Sequence, residues 1–427
     1  MAVVLSKATT AVRTLFSKGF FHIFGSNAIN RLIGFVTNIA IVWFLTKDEY
    51  GVFSYANSIY SICVLFTGFG LISGMLQFCL EERPETQKES IRSYALTRGV
   101  FADVGIAVGV ILIGFFVALP IQEAGACLAA FGPLVILDYL FQYLSCVLRM
   151  SFENQRYAAL QTANTVSYFI AACAGAYVGG IYGTVAGRYI AYGASIVLGM
   201  FFLKKTGIAI PFKLATSPFP KRDLWKYSVS TQVSASLNTL TFLLDVLLVG
   251  FFIQNAAVVA TYKTATIIPE GLVFIPTSVI MFALPYFVKH NRDGVWFRKK
   301  SSLLLGAGLG AYAAVSLVLI IGAPWIVGGL WGGGYLDAVA PFRILSLSFL
   351  FNAMRATCTN LLCAVRAIRE NLVISCISLV ANVSLCVLLI PAFGIAGAAL
   401  APLSVSVIAA VVAFALLRKT IKNLPGV

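Results

Sequence analysis

The chain has 427 residues, of which 59% are hydrophobic and only 11% are charged, and its formal net charge is +15. Soluble domains contain about 45–50% apolar and about 25% charged residues, so the composition excludes a soluble globular protein. The apolar runs are continuous instead of alternating over about ten residues, which excludes a transmembrane barrel. The sequence therefore predicts an all-α polytopic membrane protein.

The first twenty residues predict a surface helix. They contain no acidic residue, and they lack the long apolar stretch and small-residue cleavage site of a secretory signal. Five apolar residues share one helical face, which is typical of an amphipathic helix lying on the membrane: Ala8, Val12, Leu15, Phe16 and Phe20. A mitochondrial presequence has a similar composition, so that alternative stays open.

Twelve apolar spans follow in chain order. The first six are predicted near residues 24–45, 52–80, 97–119, 126–148, 157–178 and 181–203. The second six are predicted near residues 228–253, 257–288, 302–321, 338–363, 371–391 and 395–417.

The loops between these spans alternate between basic and nearly uncharged. One set, which includes both termini and the central segment, holds 25 Lys and Arg residues, whereas the other set holds only Lys47. Because cytoplasmic loops carry the excess of basic residues, both termini are predicted in the cytoplasm.

The central segment 204–227 contains three prolines and six basic residues, and it divides the chain into two comparable halves. We predict a six-helix bundle over 1–203 with the amphipathic segment at its start, a cytoplasmic linker over 204–227, and a second six-helix bundle over 228–427.

The two halves repeat one another in sequence. L-S-C-V-L-R-M-S-F-E-N at 144–154 matches L-L-C-A-V-R-A-I-R-E-N at 361–371, an offset of 217. G-I-Y-G at 180–183 matches G-I-A-G at 394–397, an offset of 214, and Phe44 and Tyr55 match Phe251 and Tyr262, an offset of 207. Each half has an even number of spans, so the repeats are predicted to be parallel and related by a pseudo-two-fold axis.

A charged pair recurs at the end of the fourth and tenth spans: Arg149 with Glu153, and Arg366 with Glu370. Residues four apart on a helix are neighbours, so each pair is predicted to hold a helix end. The alternative is that the two pairs close a cytoplasmic gate.

Charged residues within the apolar spans are the candidate functional residues, because each costs about 2.5–3.5 kcal/mol at mid-bilayer. Candidate substrate-binding cations are Arg31, Arg188, Lys263, Arg343 and Arg355, and candidate ion-coupling or internally paired carboxylates are Asp138, Asp245 and Glu270. Arg31 and Arg343 lie near span ends, where their side chains can also reach the membrane surface.

The eighth span combines Lys263 and Glu270 with three prolines, Pro269, Pro276 and Pro285. Proline frees backbone carbonyl groups, which is tolerated where protein or a water-filled cavity satisfies them. The pattern predicts a bent helix that lines a cavity.

Enzyme chemistry is not supported by the sequence. Its two histidines are far apart, and none of the HExxH, GxSxG or P-loop motifs is present. The nine cysteines lie in or beside apolar spans and include no CxxC pair, so no metal site, disulfide framework or cofactor is predicted. The basic loops account for the positive charge without a nucleic-acid partner.

Several stretches resemble the polysaccharide-type, Wzx-like lipid flippases of the multidrug/oligosaccharidyl-lipid/polysaccharide (MOP) exporter superfamily. They are F-L-T-K-D-E-Y-G-V-F-S-Y-A-N-S-I at 44–59, G-F-G-L at 68–71, A-T-Y-K-T-A-T-I-I-P at 260–269, A-L-P-Y-F at 283–287 and G-G-G-Y-L-D-A-V-A-P-F-R-I-L at 332–345.

This resemblance implies two six-helix bundles around a partly cationic cavity in a bacterial inner-membrane protein. It also implies flipping of undecaprenyl-diphosphate-linked oligosaccharide for O-antigen (lipopolysaccharide), capsule or exopolysaccharide synthesis. Implied partners are this substrate, membrane lipids, a polysaccharide polymerase and chain-length machinery. The alternative is a cation-coupled small-molecule antiporter of the multidrug branch of the superfamily, whose cavity is expected to be acidic.

Overall fold

The computed structural model describes residues 20–206, 217–290, 293–365, 367–422 and 424. Residues 1–19 of the predicted amphipathic segment and residues 207–216 of the predicted linker lie outside them. The described residues form thirteen α-helices and no strand. The helices are α1 (Phe20–Phe44), α2 (Lys47–Val64), α3 (Leu71–Leu80), α4 (Glu85–Phe116), α5 (Ala124–Phe131), α6 (Leu134–Met150), α7 (Asn154–Thr206), α8 (Lys221–Ile253), α9 (Ala256–Leu272), α10 (Phe274–Lys289), α11 (Gly294–Trp331), α12 (Val339–Ala364) and α13 (Ile368–Lys422).

Nine helical segments in the described part of the chain are long and apolar enough to cross a membrane. Seven of them correspond to one predicted span each, and two, Asn154–Thr206 and Arg369–Lys422, each hold two predicted spans. The remaining prediction, 228–253, falls on α8, where Leu243–Ile253 is an apolar run within the described residues. The first half of this predicted span, S-V-S-T-Q-V-S-A-S-L-N-T-L-T at 228–241, is rich in hydroxyl and amide side chains.

The two longest helices are hairpins that reverse direction at a glycine. In α7 the reversal comes at Gly180 (φ 55°, ψ −134°), and in α13 it comes at Gly394 (φ 58°, ψ −132°). Only glycine adopts this backbone region readily, because a Cβ atom would clash there. The two turns are 214 residues apart and nearly identical in backbone angles, so the sequence repeat G-I-x-G marks a repeated structure.

Glycine also allows the two arms of each hairpin to touch. A Cβ atom on Gly183 would overlap the backbone carbonyl of Gly175, and one on Gly397 would overlap that of Leu389. Gly397 follows Gly183 by 214 residues, and Leu389 follows Gly175 by the same number, so the contact is repeated in the second half. Small residues permit such close helix packing in a membrane, where apolar attraction between helices is weak.

The second predicted span is broken in its middle. Three consecutive residues after α2 have positive φ angles: Gly68 (53°), Phe69 (46°) and Gly70 (79°). The backbone amide of Gly68 donates a hydrogen bond of 2.7 Å to Oδ1 of Asp103 on α4. Asp103 is fully buried, and its other carboxylate oxygen has no hydrogen-bond partner among the described residues. The carboxylate therefore satisfies a backbone group that the break has freed.

The eighth predicted span is also interrupted, as its prolines predict. Helix α9 contains Pro269 and ends at Leu272, and α10 begins at Phe274. Pro276, at the third position of α10, has no amide hydrogen to donate to the carbonyl of Leu272 four residues earlier, which explains why α9 ends at that residue.

The described residues divide into two compact units. The first comprises those within Met1–Leu45, Ile59–Leu119 and Glu123–Val233, and the second comprises Thr46–Ser58, Pro120–Gln122 and Ser234–Val427. Along the chain, the first unit thus includes the described residues of the predicted linker and the first part of α8, up to Val233.

Each unit has its own apolar core. In the first unit, Leu71, Ile91, Leu148 and Leu160 are completely buried. In the second unit, Phe297, Cys358 and Leu361 are completely buried. Large apolar side chains such as Phe101, Phe116 and Trp325 remain exposed. Lipid covers such residues in a membrane protein, so their exposure agrees with the apolar composition.

Candidate functional site

A cluster of aromatic residues surrounds Arg188 in the first unit. The guanidinium carbon lies 4.9 Å from the ring centroid of Tyr168 and 5.7 Å from those of Tyr60 and Phe131. One guanidinium nitrogen donates a hydrogen bond of 3.3 Å to the Tyr168 hydroxyl. Aromatic faces within about 6 Å attract a cation, so these rings hold the charge inside the unit.

Asp138 belongs to the same cluster. Its side chain is buried, and it accepts hydrogen bonds from the Tyr192 hydroxyl at 2.8 Å and from the Gln142 amide at 2.6 Å. Tyr192 lies one turn after Arg188 on α7, and Gln142 lies one turn after Asp138 on α6. Arg188 is close enough to act electrostatically on the carboxylate. The structure therefore brings together two predicted site residues, Asp138 and Arg188.

A second group of polar residues lines a cavity of about 30 Å³ in the second unit, a volume near that of one water molecule. The Asn382 amide donates a hydrogen bond of 2.7 Å to Oδ1 of Asp245. Nε of Arg355 donates one of 3.4 Å to Oδ1 of Asn352. The lining comprises Asp245, Asn352, Arg355, Ser375, Ser378, Asn382, Pro402, Val405, Ser406 and Ala409. Two predicted site residues of opposite charge, Asp245 and Arg355, thus share one cavity.

Two further predicted charges of the second unit form an ion pair on α9. Nζ of Lys263 lies 3.2 Å from Oε2 of Glu270, and both side chains are partly exposed. Both residues also act electrostatically on Asp245. Lys263 and Glu270 are therefore neighbours of the cavity's carboxylate, although they do not line the cavity.

Arg31 and Arg343 have exposed side chains and differ from the clustered cations. Nε of Arg343 donates a hydrogen bond of 3.2 Å to the backbone carbonyl of Ile320. Neither residue lies in the two clusters described above.

A family model described as "Polysaccharide biosynthesis protein" matches residues 16–291, which is more than half of the chain. The chain belongs to this polysaccharide biosynthesis protein family. A comparison with curated protein sequences gave no match.

Solved structures share the fold of this family member. An inward-facing multidrug resistance MATE family transporter of the MOP superfamily has a TM-score of 0.76 and 13% identity, over 92% of this chain and 95% of that one. The lipid II flippase MurJ in an inward closed conformation has a TM-score of 0.74 and 14% identity, over 94% and 89%. A MOP superfamily transporter from Pyrococcus furiosus, described as having a binding pocket of reverse polarity, has a TM-score of 0.59 and 12% identity, over 95% and 94%. The predicted all-α MOP fold is confirmed.

The structure pairs the charges at the end of the fourth span differently from the sequence prediction. Glu153 lies 3.2 Å from Arg156, whereas Arg149 is exposed. The prediction assumed one continuous helix, but α6 ends at Met150 and Phe152 has a φ of 58°. Glu153 therefore precedes α7 and meets a residue in its first turn. In the second half Glu370 is partly buried on α13, and Arg366 lies outside the described residues.

Sequence reasoning missed three partners. Tyr192, Gln142 and Asn382 all bind carboxylates within the spans. A signal was present for two of them, because Gln142 follows Asp138, and Tyr192 follows Arg188, by four residues on an apolar helix. Asn382 is 137 residues from Asp245 in the chain, so only the tertiary structure brings the two together.

Proposed function

We propose that this member of the polysaccharide biosynthesis protein family flips undecaprenyl-diphosphate-linked oligosaccharide repeat units from the cytoplasmic to the periplasmic leaflet by alternating access. The glycan would serve O-antigen, capsule or exopolysaccharide synthesis. The observation that carries the proposal is the family match over residues 16–291 in a chain with the MOP fold. The fold likeness to a protein described as a lipid II flippase supports the same direction.

The proposed substrate has a charged part that suits the cations of the spans. Arginine binds diphosphate oxygens through two parallel N–H donors, and lysine binds them as a point charge. We assign this role to Arg31, Lys263, Arg343 and Arg355. For Arg188 we propose internal pairing with the predicted carboxylate Asp138 instead of substrate binding, because aromatic rings and the Asp138 cluster already surround it.

Ion coupling is proposed at Asp245. Its carboxylate is buried, binds Asn382 and lines a cavity of about 30 Å³, large enough for one water molecule or one small cation. Glu270, paired with Lys263, is the nearby acid that would respond to the charge state of Asp245. An ion bound there would alter the charge balance of α8, α9 and α13 together.

A cation-coupled small-molecule antiporter is the second candidate. The fold likeness to a multidrug resistance MATE family transporter and the carboxylate in the cavity favour it. The presence of Arg355 in the same cavity speaks against an acid-dominated site.

A flipping assay separates the two candidates. Purified protein in liposomes is given undecaprenyl-diphosphate-linked oligosaccharide labelled with a fluorophore that external dithionite reduces. Flipping makes nearly all of the fluorophore accessible, whereas liposomes without protein, or with the Arg355→Gln variant, protect the inner-leaflet half. Ion-driven release of ethidium from the same liposomes, with no change in lipid accessibility, would favour the antiporter and refute the flippase.

The proposed location is the bacterial inner membrane, with both termini in the cytoplasm. The basic loops support this orientation, because positive charge is retained on the cytoplasmic side. A polysaccharide polymerase and chain-length machinery are the proposed protein partners, since they would consume the flipped lipid. Reporter fusions that place the C-terminus outside the cell would contradict the orientation.

A further inference from the structure

Helix α1 exposes two opposite faces of different chemistry. Ile29, Leu32, Val36 and Trp43 are between 40% and 58% exposed. At about 100° per residue, these four positions fall on one side of the helix. Apolar side chains on an exposed face of a membrane span are suited to lipid.

The other exposed face is polar, and we call its three residues Asn27, Arg31 and Asn38 the polar ladder. All three side chains are exposed. With about 100° per residue, they lie within roughly 40° of each other and about 150° from the apolar face. Beside the ladder, the side-chain oxygen of Asn30 is buried and has no hydrogen-bond partner among the described residues. Exposed amides in a membrane span are costly against lipid, so this face requires a water-filled path or a polar ligand.

The second half of the chain carries polar residues at the equivalent positions. With the offset of 207 that aligns Phe44 with Phe251, Asn27, Arg31 and Asn38 correspond to Ser234, Asn238 and Asp245. The match is one of sequence position, since Asp245 is buried and bonded to Asn382 whereas Asn38 is exposed.

The chemistry of the ladder points to sugar hydroxyl groups. An asparagine amide offers two donors and an acceptor, which matches a hydroxyl group that both donates and accepts. A phosphate group only accepts, so it is served by Arg31 and gains less from an amide. We propose that Asn27 and Asn38 bind the glycan of the lipid-linked substrate, next to a diphosphate held by Arg31. This inference rests on the proposed flippase function.

Binding measurements on the full-length purified protein test the ladder. The probes are undecaprenyl-diphosphate-linked oligosaccharides of increasing length and undecaprenyl diphosphate without sugar. We expect Asn38→Leu and Asn27→Leu each to raise the Kd for the glycan-bearing probes about five-fold, the effect of losing one hydrogen bond, without changing the Kd for the bare lipid. Arg31→Gln should weaken both classes of probe. Leu32→Ala, on the apolar face, is the matched control and should change neither.

The outcomes separate the ladder from the function on which it rests. If the wild-type protein binds glycan-bearing lipid, and the asparagine variants bind it equally well or lose both probes to the same extent, the ladder is refuted and the flippase proposal survives. If the wild-type protein binds no lipid-linked probe, both proposals fail. Because the three side chains are exposed, the variants should remain folded, and size-exclusion chromatography verifies this before binding is measured.

Discussion

The aromatic cluster around Arg188 makes a prediction that decides between its two possible roles. Arg188→Leu removes the charge but leaves an apolar side chain among the rings. If the residue acts as an internal partner, the first unit should lose stability. If it is a substrate ligand, the stability of the unit should hardly change while lipid binding is lost.

The expected loss follows from the three ring contacts at 4.9–5.7 Å. At about 0.5–1 kcal/mol each, they contribute about 1.5–3 kcal/mol to the free energy of unfolding. For a unit of roughly 150–250 residues, 1 kcal/mol shifts the melting temperature by about 2–4 °C, so Arg188→Leu should lower it by about 3–12 °C. Arg188→Lys keeps the charge but not the planar stacking, and an intermediate loss is expected.

Thermal unfolding of the detergent-solubilised protein measures this shift. Arg343→Leu is the control, because Arg343 is also an arginine in a span but is exposed and has a single hydrogen bond to a backbone carbonyl. We expect the control to lose less than about 1 kcal/mol. A melting temperature of Arg188→Leu equal to that of the wild type, together with lost lipid binding, would refute internal pairing.

Three further predictions follow from single contacts. Gly183→Leu should prevent folding of the α7 hairpin, since even a Cβ atom there overlaps a backbone carbonyl, whereas Gly193→Leu should fold because that site is open; size-exclusion chromatography distinguishes them, and a folded Gly183→Leu protein contradicts the hairpin contact. Asp103→Ala should reduce stability by about 1–3 kcal/mol, because it leaves the amide at the helix break unsatisfied; an unchanged melting temperature would mean that water replaces the carboxylate. A double-mutant cycle of Lys263→Met and Glu270→Gln should give a coupling energy of about 0.5–1 kcal/mol for this partly exposed pair; additive effects would show that the two residues act independently.

Much of the fold was predictable because it depends on local sequence. Continuous apolar runs located eleven of the twelve spans on helices that can cross a membrane, and the G-I-x-G repeat marked two turns that only glycine permits. The predicted span 228–253 lies on one helix, on which Leu243–Ile253 is an apolar run within the described residues. The break at Gly68 was not predicted, since it depends on a carboxylate 35 residues later in the chain.

The site was less predictable than the fold. Charges within spans could be listed from sequence, but their partners depend on which helices meet. Asp138 and Arg188 are on different helices and share a cluster, and so do Asp245 and Arg355. The assumed pair of Arg149 and Glu153 failed for a local reason, namely a non-helical residue between them.

The sequence repeat shows which positions of the two units correspond, and the side chains at some of these positions differ. With the offset of 214 that relates the hairpin glycines, Tyr168, Arg188 and Tyr192 correspond to Asn382, Pro402 and Ser406. The first three belong to the aromatic cluster, and the last three line the cavity of the second unit. In the first unit these positions hold two tyrosines and an arginine. In the second unit they hold smaller side chains, which line a cavity. The same hairpin backbone thus carries Arg188 among aromatic rings in one unit and lines a polar cavity beside Asp245, the site of the proposed ion coupling, in the other.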